Sequence, residues 1–137
     1  MFTAGVASSC GPAARARSGP FQPTAHEGVG IGTEWFCSMR LDQSGSLCMR
    51  SMELCEHERA ARMARDRRIE FSSCAPHPSP ALCFSYFQGG GTDGIEGLYG
   101  HCTADLATCE RTLAIHRRGH IQQRLGITEI SDCVAVD

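Results

Sequence analysis

Eight of the nine cysteines in this 137-residue chain fall into two sets of four that repeat one phrase. Cys37, Cys48, Cys55 and Cys74 form the first set, and Cys83, Cys102, Cys109 and Cys133 the second. The middle pair is C-x6-C in both and continues as Cys55-Glu56 and Cys109-Glu110. The outer gaps differ, ten residues against eighteen before the pair and eighteen against twenty-three after it. Thiols at such spacing have three chemical uses: oxidation to disulfides, metal ligation, or nucleophilic attack. An even, repeated set in a small chain points to disulfides, and hence to an oxidising compartment.

Four cysteines allow three pairings. The C-x6-C gap, from a strand end to a first helical turn, is short enough to bridge. It favours Cys48–Cys55 with Cys37–Cys74, and Cys102–Cys109 with Cys83–Cys133. Cys37–Cys55 with Cys48–Cys74 is a second reasonable arrangement. Sequence alone does not decide between them.

Zinc is the competing chemistry. Cys102-x6-Cys109-x6-His116-x3-His120 offers two thiolates and two imidazoles in zinc-finger order. Such fingers keep two to four residues between the cysteines and about twelve before the first histidine. Arg62 also stands in the first set where His116 stands in the second. The expectation is therefore no metal and no cofactor. Cys55-Glu56-His57 does not make a nucleophile, because positions i and i+2 of a helix do not face each other. Glu53 and Glu56 read as helix-start charges that complement the dipole. Asp93 and Glu96 in the Gly89–Gly97 run are too few oxygen ligands for a calcium loop. Arg59, Arg62, Arg65, Arg67 and Arg68, against Asp66, make a basic helix end that reads as a solvated face. No catalytic residue is expected.

The elements that hold these residues read as two short runs of the same order. Glu34–Arg40 and Ser46–Arg50 are strands about an Asp42–Gly45 turn, and Ser51 caps a helix to about Arg68. Ala81–Phe87 and Leu98–Cys102 are strands about a glycine-rich loop at 88–97. A helix then spans Ala104 to Arg118, with Gly119 as its C′ residue and Leu106, Cys109, Leu113 and His116 as its buried stripe. The expected fold is small, disulfide-rich α+β: two tandem ββα modules, each a two-stranded hairpin plus one helix. The expected divisions are a disordered leader at 1–33, module one at 34–75, a Pro-rich linker at 76–80, and module two at 81–137. Units this small bury too little apolar surface to be comfortable without staples.

Cys10 stands outside both sets. Ala7-Ser8-Ser9-Cys10 looks like the end of a bacterial lipobox, which makes Cys10 a candidate lipidation site and residues 11–33 its tether. That lipid is the expected route to a membrane, since no apolar run of eighteen residues exists. A net charge of −2 and a pI near 6.3 give no bulk field for nucleic acid.

The ordered pattern of aromatic-Cys strand, hairpin, C-x6-C-Glu and closing Cys over residues 35–133 resembles small secreted cysteine-rich tandem-repeat proteins of myxobacteria and their relatives. The resemblance implies an extracytoplasmic protein and brings no catalytic residue. The expected function is non-enzymatic, structural or in binding at the cell surface. A secreted inhibitor or effector of a hydrolase is the alternative, and a zinc-binding module a further one.

Overall fold

The computed structural model of the chain describes residues 17–18, 29–89 and 95–137. Its strands are β1 (Arg17–Ser18), β2 (Trp35–Met39), β3 (Ser46–Met49), β4 (Ala75–His77), β5 (Ala81–Gln88), β6 (Gly97–Thr103), β7 (Ile127–Ile130) and β8 (Val134–Val136). Its helices are α1 (Met52–Arg65), α2 (Leu106–His116) and α3 (Gly119–Leu125). The result is a small disulfide-rich α+β fold with two sheets.

The first sheet runs β3-β2-β4, all antiparallel. The β2–β3 connection is tight because Asp42 Oδ1 accepts from the Ser44 amide and hydroxyl, at 3.0 and 2.7 Å. Gln43 takes the left-handed conformation this turn needs (φ 63°). Ser51 caps α1 as its sequence position implies, accepting from Leu54 N at 3.1 Å. α1 ends at Arg65 rather than near Arg68. Cys55 is its one fully buried residue, and Met63 packs partly buried against the core. Met52, three residues before Cys55, is exposed.

The second sheet is centred on β5. β6 pairs antiparallel along one edge, and the other edge is shared: β7 takes Tyr86–Gln88 and β8 takes Ala81–Cys83. Ser131 bridges the gap between β7 and β8, donating its amide to Ser85 O while its hydroxyl accepts from Ser85 N. β1 pairs parallel with β7. α2 is capped by Asp105, whose carboxylate accepts from Thr108 N at 2.8 Å. Gly119 does not follow the helix as a C′ residue; it opens α3, and Gly126 (φ 70°) provides the left-handed cap one helix later. In the expected α2 stripe Cys109 and Leu113 are buried and His116 is half-buried, but Leu106 is half exposed.

The expected linker carries more than a connection. Ala75–His77 are strand β4, and one core cluster contains Trp35, Leu47, Cys48 and Phe71 together with Ala81, Cys83, Cys102 and Val136. Trp35 Nε1 donates to Val136 O at 2.9 Å, and Ala104 N donates to Ser46 Oγ at 2.9 Å. A second cluster of Phe84, Tyr86, Cys109, Leu113, Ile127 and Ile130 lies wholly after residue 80. Core contacts therefore join residues on both sides of 76–80. Parts of the expected leader also belong to the fold: β1, and Val29, which is buried and whose carbonyl accepts from Arg50 N. Cys10 and the other residues of 1–16 and 19–28 lie outside the described residues, as do residues 90–94 of the glycine-rich loop.

Candidate ligand-binding cleft

All eight cysteines of the two sets are oxidised, and the pairing corrects the expected one. The bridges are Cys37–Cys48, Cys55–Cys74, Cys83–Cys102 and Cys109–Cys133. Strand register is the reason. Cys37 stands directly opposite Cys48, and Cys83 opposite Cys102, with Cα atoms 4.1 Å apart in each pair. Once both hairpins are stapled across, each helix cysteine is left for the segment that follows it: Cys55 for Cys74 at 6.1 Å, Cys109 for Cys133 at 6.3 Å between Cα atoms. The zinc set is not assembled, since Cys102 and Cys109 are each bonded elsewhere.

Glu56 does more than complement a helix dipole. Its carboxylate accepts from Cys74 N at 3.0 Å and pairs with Arg59 at 3.1 Å, while Arg59 also donates to Phe71 O. It thereby positions the segment to which α1 is stapled. Glu110, the matching residue of the second phrase, is exposed.

The chemistry-bearing side chains gather in a cleft of about 580 Å³ between α1 and α2. α1 contributes Glu58, Arg62 and Arg65, and Asp66 follows at its C-cap; α2 contributes Thr108, Arg111, Thr112 and Ile115. The β2–β3 turn supplies Arg40 and Ser44, Ile69 and Phe71 form an apolar strip, and His101 of β6 lines it from the sheet. Part of the helix end expected to be merely a solvated face is therefore one wall of a cleft. Its arginines are only partly neutralised. Glu58 is shared by Arg62 (3.0 Å) and Arg65 (3.7 Å), and Arg40 holds Asp42 with two hydrogen bonds. Among the described residues, the acceptors of Arg111 are neutral oxygens, Ser44 O at 3.1 Å and Thr108 Oγ1 at 3.3 Å.

Behind the cleft His101 joins a ring cluster. Phe84 lies 5.3 Å from both His101 and His116, the imidazoles are 4.8 Å apart, and Tyr86 lies 5.0 Å from His116. Enclosure by these rings, then His116 and Arg62 nearby, holds the His101 pKa well below the ordinary imidazole value. Burial also lowers His116, against the Thr112 carbonyl, which its Nδ1 contacts at 2.9 Å. Burial, then Tyr99, raises the Tyr86 hydroxyl to about 12. The available signal for this cluster was strand alternation, since Tyr99 and His101 sit at i and i+2 opposite Tyr86 and Phe84.

A second groove of about 520 Å³ runs along Trp35, the 76–80 prolines and Asp137. Among the described residues no group of three or more His, Cys, Asp or Glu side chains is placed to hold a metal, and no helix is long and apolar enough to cross a membrane. Comparison with protein-family models, with curated proteins and with solved structures returned no significant match.

Proposed function

We propose that this chain is an extracytoplasmic, non-enzymatic binding protein of the cell surface. In this reading it is built of two tandem stapled ββα modules whose junction forms the ligand cleft, and a lipid on Cys10 tethers it. The observation that carries the reading is the disulfide set. Four bridges closed in series use every cysteine of the repeated phrase, and such bridges persist where the medium is oxidising. The repeated order of hairpin, cross-strand bridge, capped helix and helix bridge supports a duplicated module. The resemblance to secreted cysteine-rich repeat proteins rests on the same spacing.

The cleft supports binding over catalysis. The threonine hydroxyls in it are already engaged, Thr108 with Asp105 and Thr112 with Thr108 O, so neither is poised against His101 as a nucleophile. The test is to express the full chain in an oxidising host and in a reducing cytosol, then compare folding and localisation. Folding only where the four bridges form, with the protein outside the cytoplasm, supports the reading. A natively folded, fully reduced protein recovered from the cytosol refutes it.

One feature favours the inhibitor alternative. The 41–45 turn is held inside the Cys37–Cys48 loop and its Leu41 is 60% exposed, the stapled and protruding shape that hydrolase inhibitors present. Inhibition of a serine protease that is lost in Leu41→Gly would move the assignment to that class.

A further inference from the structure

The cleft has a definite chemical character. Four guanidinium groups converge on it, from Arg40, Arg62, Arg65 and Arg111, against the carboxylates of Glu58 and Asp66. Its lining holds more arginines than carboxylates, although the net charge of the chain is −2. Hydroxyls of Ser44, Thr108 and Thr112 stand among the guanidinium groups, and Ile69, Phe71 and Ile115 form the apolar strip. The size falls in the range of small-ligand sites, roughly 300–1,000 Å³.

We propose that this cleft binds an anionic saccharide, with its carboxylate or sulfate group held by Arg62 and Arg111 from the two helices. The assignment rests on the reading of the chain as a binding protein and names its ligand class. An oxyanion matches the planar fork of arginine, which takes two parallel hydrogen bonds. Arg111 is the principal anchor because its present acceptors are neutral oxygens, which a charged oxygen outcompetes. With their own protons engaged, the hydroxyl oxygens of Ser44, Thr108 and Thr112 are left to accept from sugar hydroxyls, and the apolar strip matches the C–H face of a sugar ring. An acidic peptide fits less well. Both long walls are helices whose backbone hydrogen bonds are internal, so an extended peptide finds no strand edge to join.

The experiment is a calorimetric titration of the full, four-bridged chain. The probes are trigalacturonate, a sulfated disaccharide, neutral maltotriose, inorganic sulfate and a hexaglutamate peptide. Trigalacturonate or the sulfated disaccharide binds, more weakly as salt rises, while maltotriose does not. Arg62→Gln and Arg111→Gln each lower affinity about tenfold or more, the loss typical of a hydrogen bond to a charged group. Arg111→Lys keeps the charge but not the fork and also weakens binding. Arg118→Gln, exposed at the start of α3, changes nothing. Arg111 is exposed, so its variants should melt as the parent does; a lower melting point in Arg111→Gln shifts the test to Arg111→Lys.

Absence of binding by both acidic sugars overturns the proposal, as does binding that neither arginine substitution weakens. Inorganic sulfate or hexaglutamate binding as tightly as the sugars overturns the saccharide assignment. A peptide map of the same sample separates the two readings. Four bridges without saccharide binding sinks this inference alone, and missing bridges sink the reading beneath it.

Discussion

Removal of the Cys55–Cys74 bridge by paired alanine substitution should undock α1 while leaving the β2–β3 hairpin folded. Little else holds the helix. Cys55 is the only fully buried residue of α1, and its other ties include partly buried Met63, Leu54 beside Gly30, and the polar links of Glu56 and Arg59 to the 71–74 segment. A 14-residue helix with so small an apolar face is marginal in water. Loop-closure entropy assigns about 2.8 kcal/mol to the Cys37–Cys48 loop and about 3.3 kcal/mol to the Cys55–Cys74 loop. The two bridges therefore differ little in their effect on the unfolded chain. They differ in the folded one, because Cys37 and Cys48 are already opposed by backbone register.

Both double-alanine variants should lose about 3 kcal/mol in urea melts, but only Cys55→Ala/Cys74→Ala should lose local protection. Hydrogen exchange read by mass spectrometry should show amides 52–65 opening well below the global unfolding free energy in that variant. They should stay at the global level in Cys37→Ala/Cys48→Ala. Helix amides as protected without Cys55–Cys74 as with it would refute the argument, and would show that the bridge acts through the unfolded chain alone.

Other outcomes follow from single contacts. A non-reducing tryptic digest should link residues 18–40 only to 41–50, and 51–59 to 69–111 to 125–137; a 41–50 to 51–59 species would restore the Cys48–Cys55 pairing. Glu56→Ala should cost about 1 kcal/mol, because its half-exposed carboxylate holds the Cys74 amide, whereas Glu110→Ala should stay within about 0.5 kcal/mol in the same melts. Trp35→Phe should lower stability by about 1–2 kcal/mol through the lost Val136 bond and packing, and a melt unchanged from the parent would mean the two halves are not joined there. Stability should fall with acid. His101 and His116 stay neutral when folded, but in the unfolded chain they take up protons below the ordinary value of 6.5, so the stabilisation is complete above that pH and is lost as pH falls toward their lowered folded values. His101→Phe should flatten the dependence of the urea midpoint between pH 8 and 5, and an unchanged slope would place the acid sensitivity elsewhere.

Local chemistry made much of this fold legible. Ser51 before a helix-forming run, the Asp42–Gly45 turn and the aromatic strands each acted within a few residues, and each stands where the sequence implies. The cleft was not legible. Arg62 reads as a solvated helix residue until Arg111, far along the chain, is brought across from it. The last two strands were missed for a related reason. Ile127–Ile130 and Val134–Val136 are too short to show alternation, and they exist because β5 has an open edge to fill.

The disulfide pairing shows most clearly what spacing does and does not encode. The constant x6 gap invited a bridge, since a fixed distance resembles a geometric requirement. In the fold it is a requirement of another kind, the crossing from strand end to first helical turn, and it lies between bridges rather than inside one. The gaps that vary are the ones the bridges close: ten and eighteen residues in the hairpins, eighteen and twenty-three after the helices. Lengthening a closed loop costs little, about 0.6 kcal/mol per doubling, and a hairpin can grow at its tip without disturbing the register that sets its two cysteines opposite each other. Lengthening the strand-to-helix crossing would move the helix cysteine out of reach of its own partner. Constancy therefore marks the hinge of the architecture, and variation marks the staples.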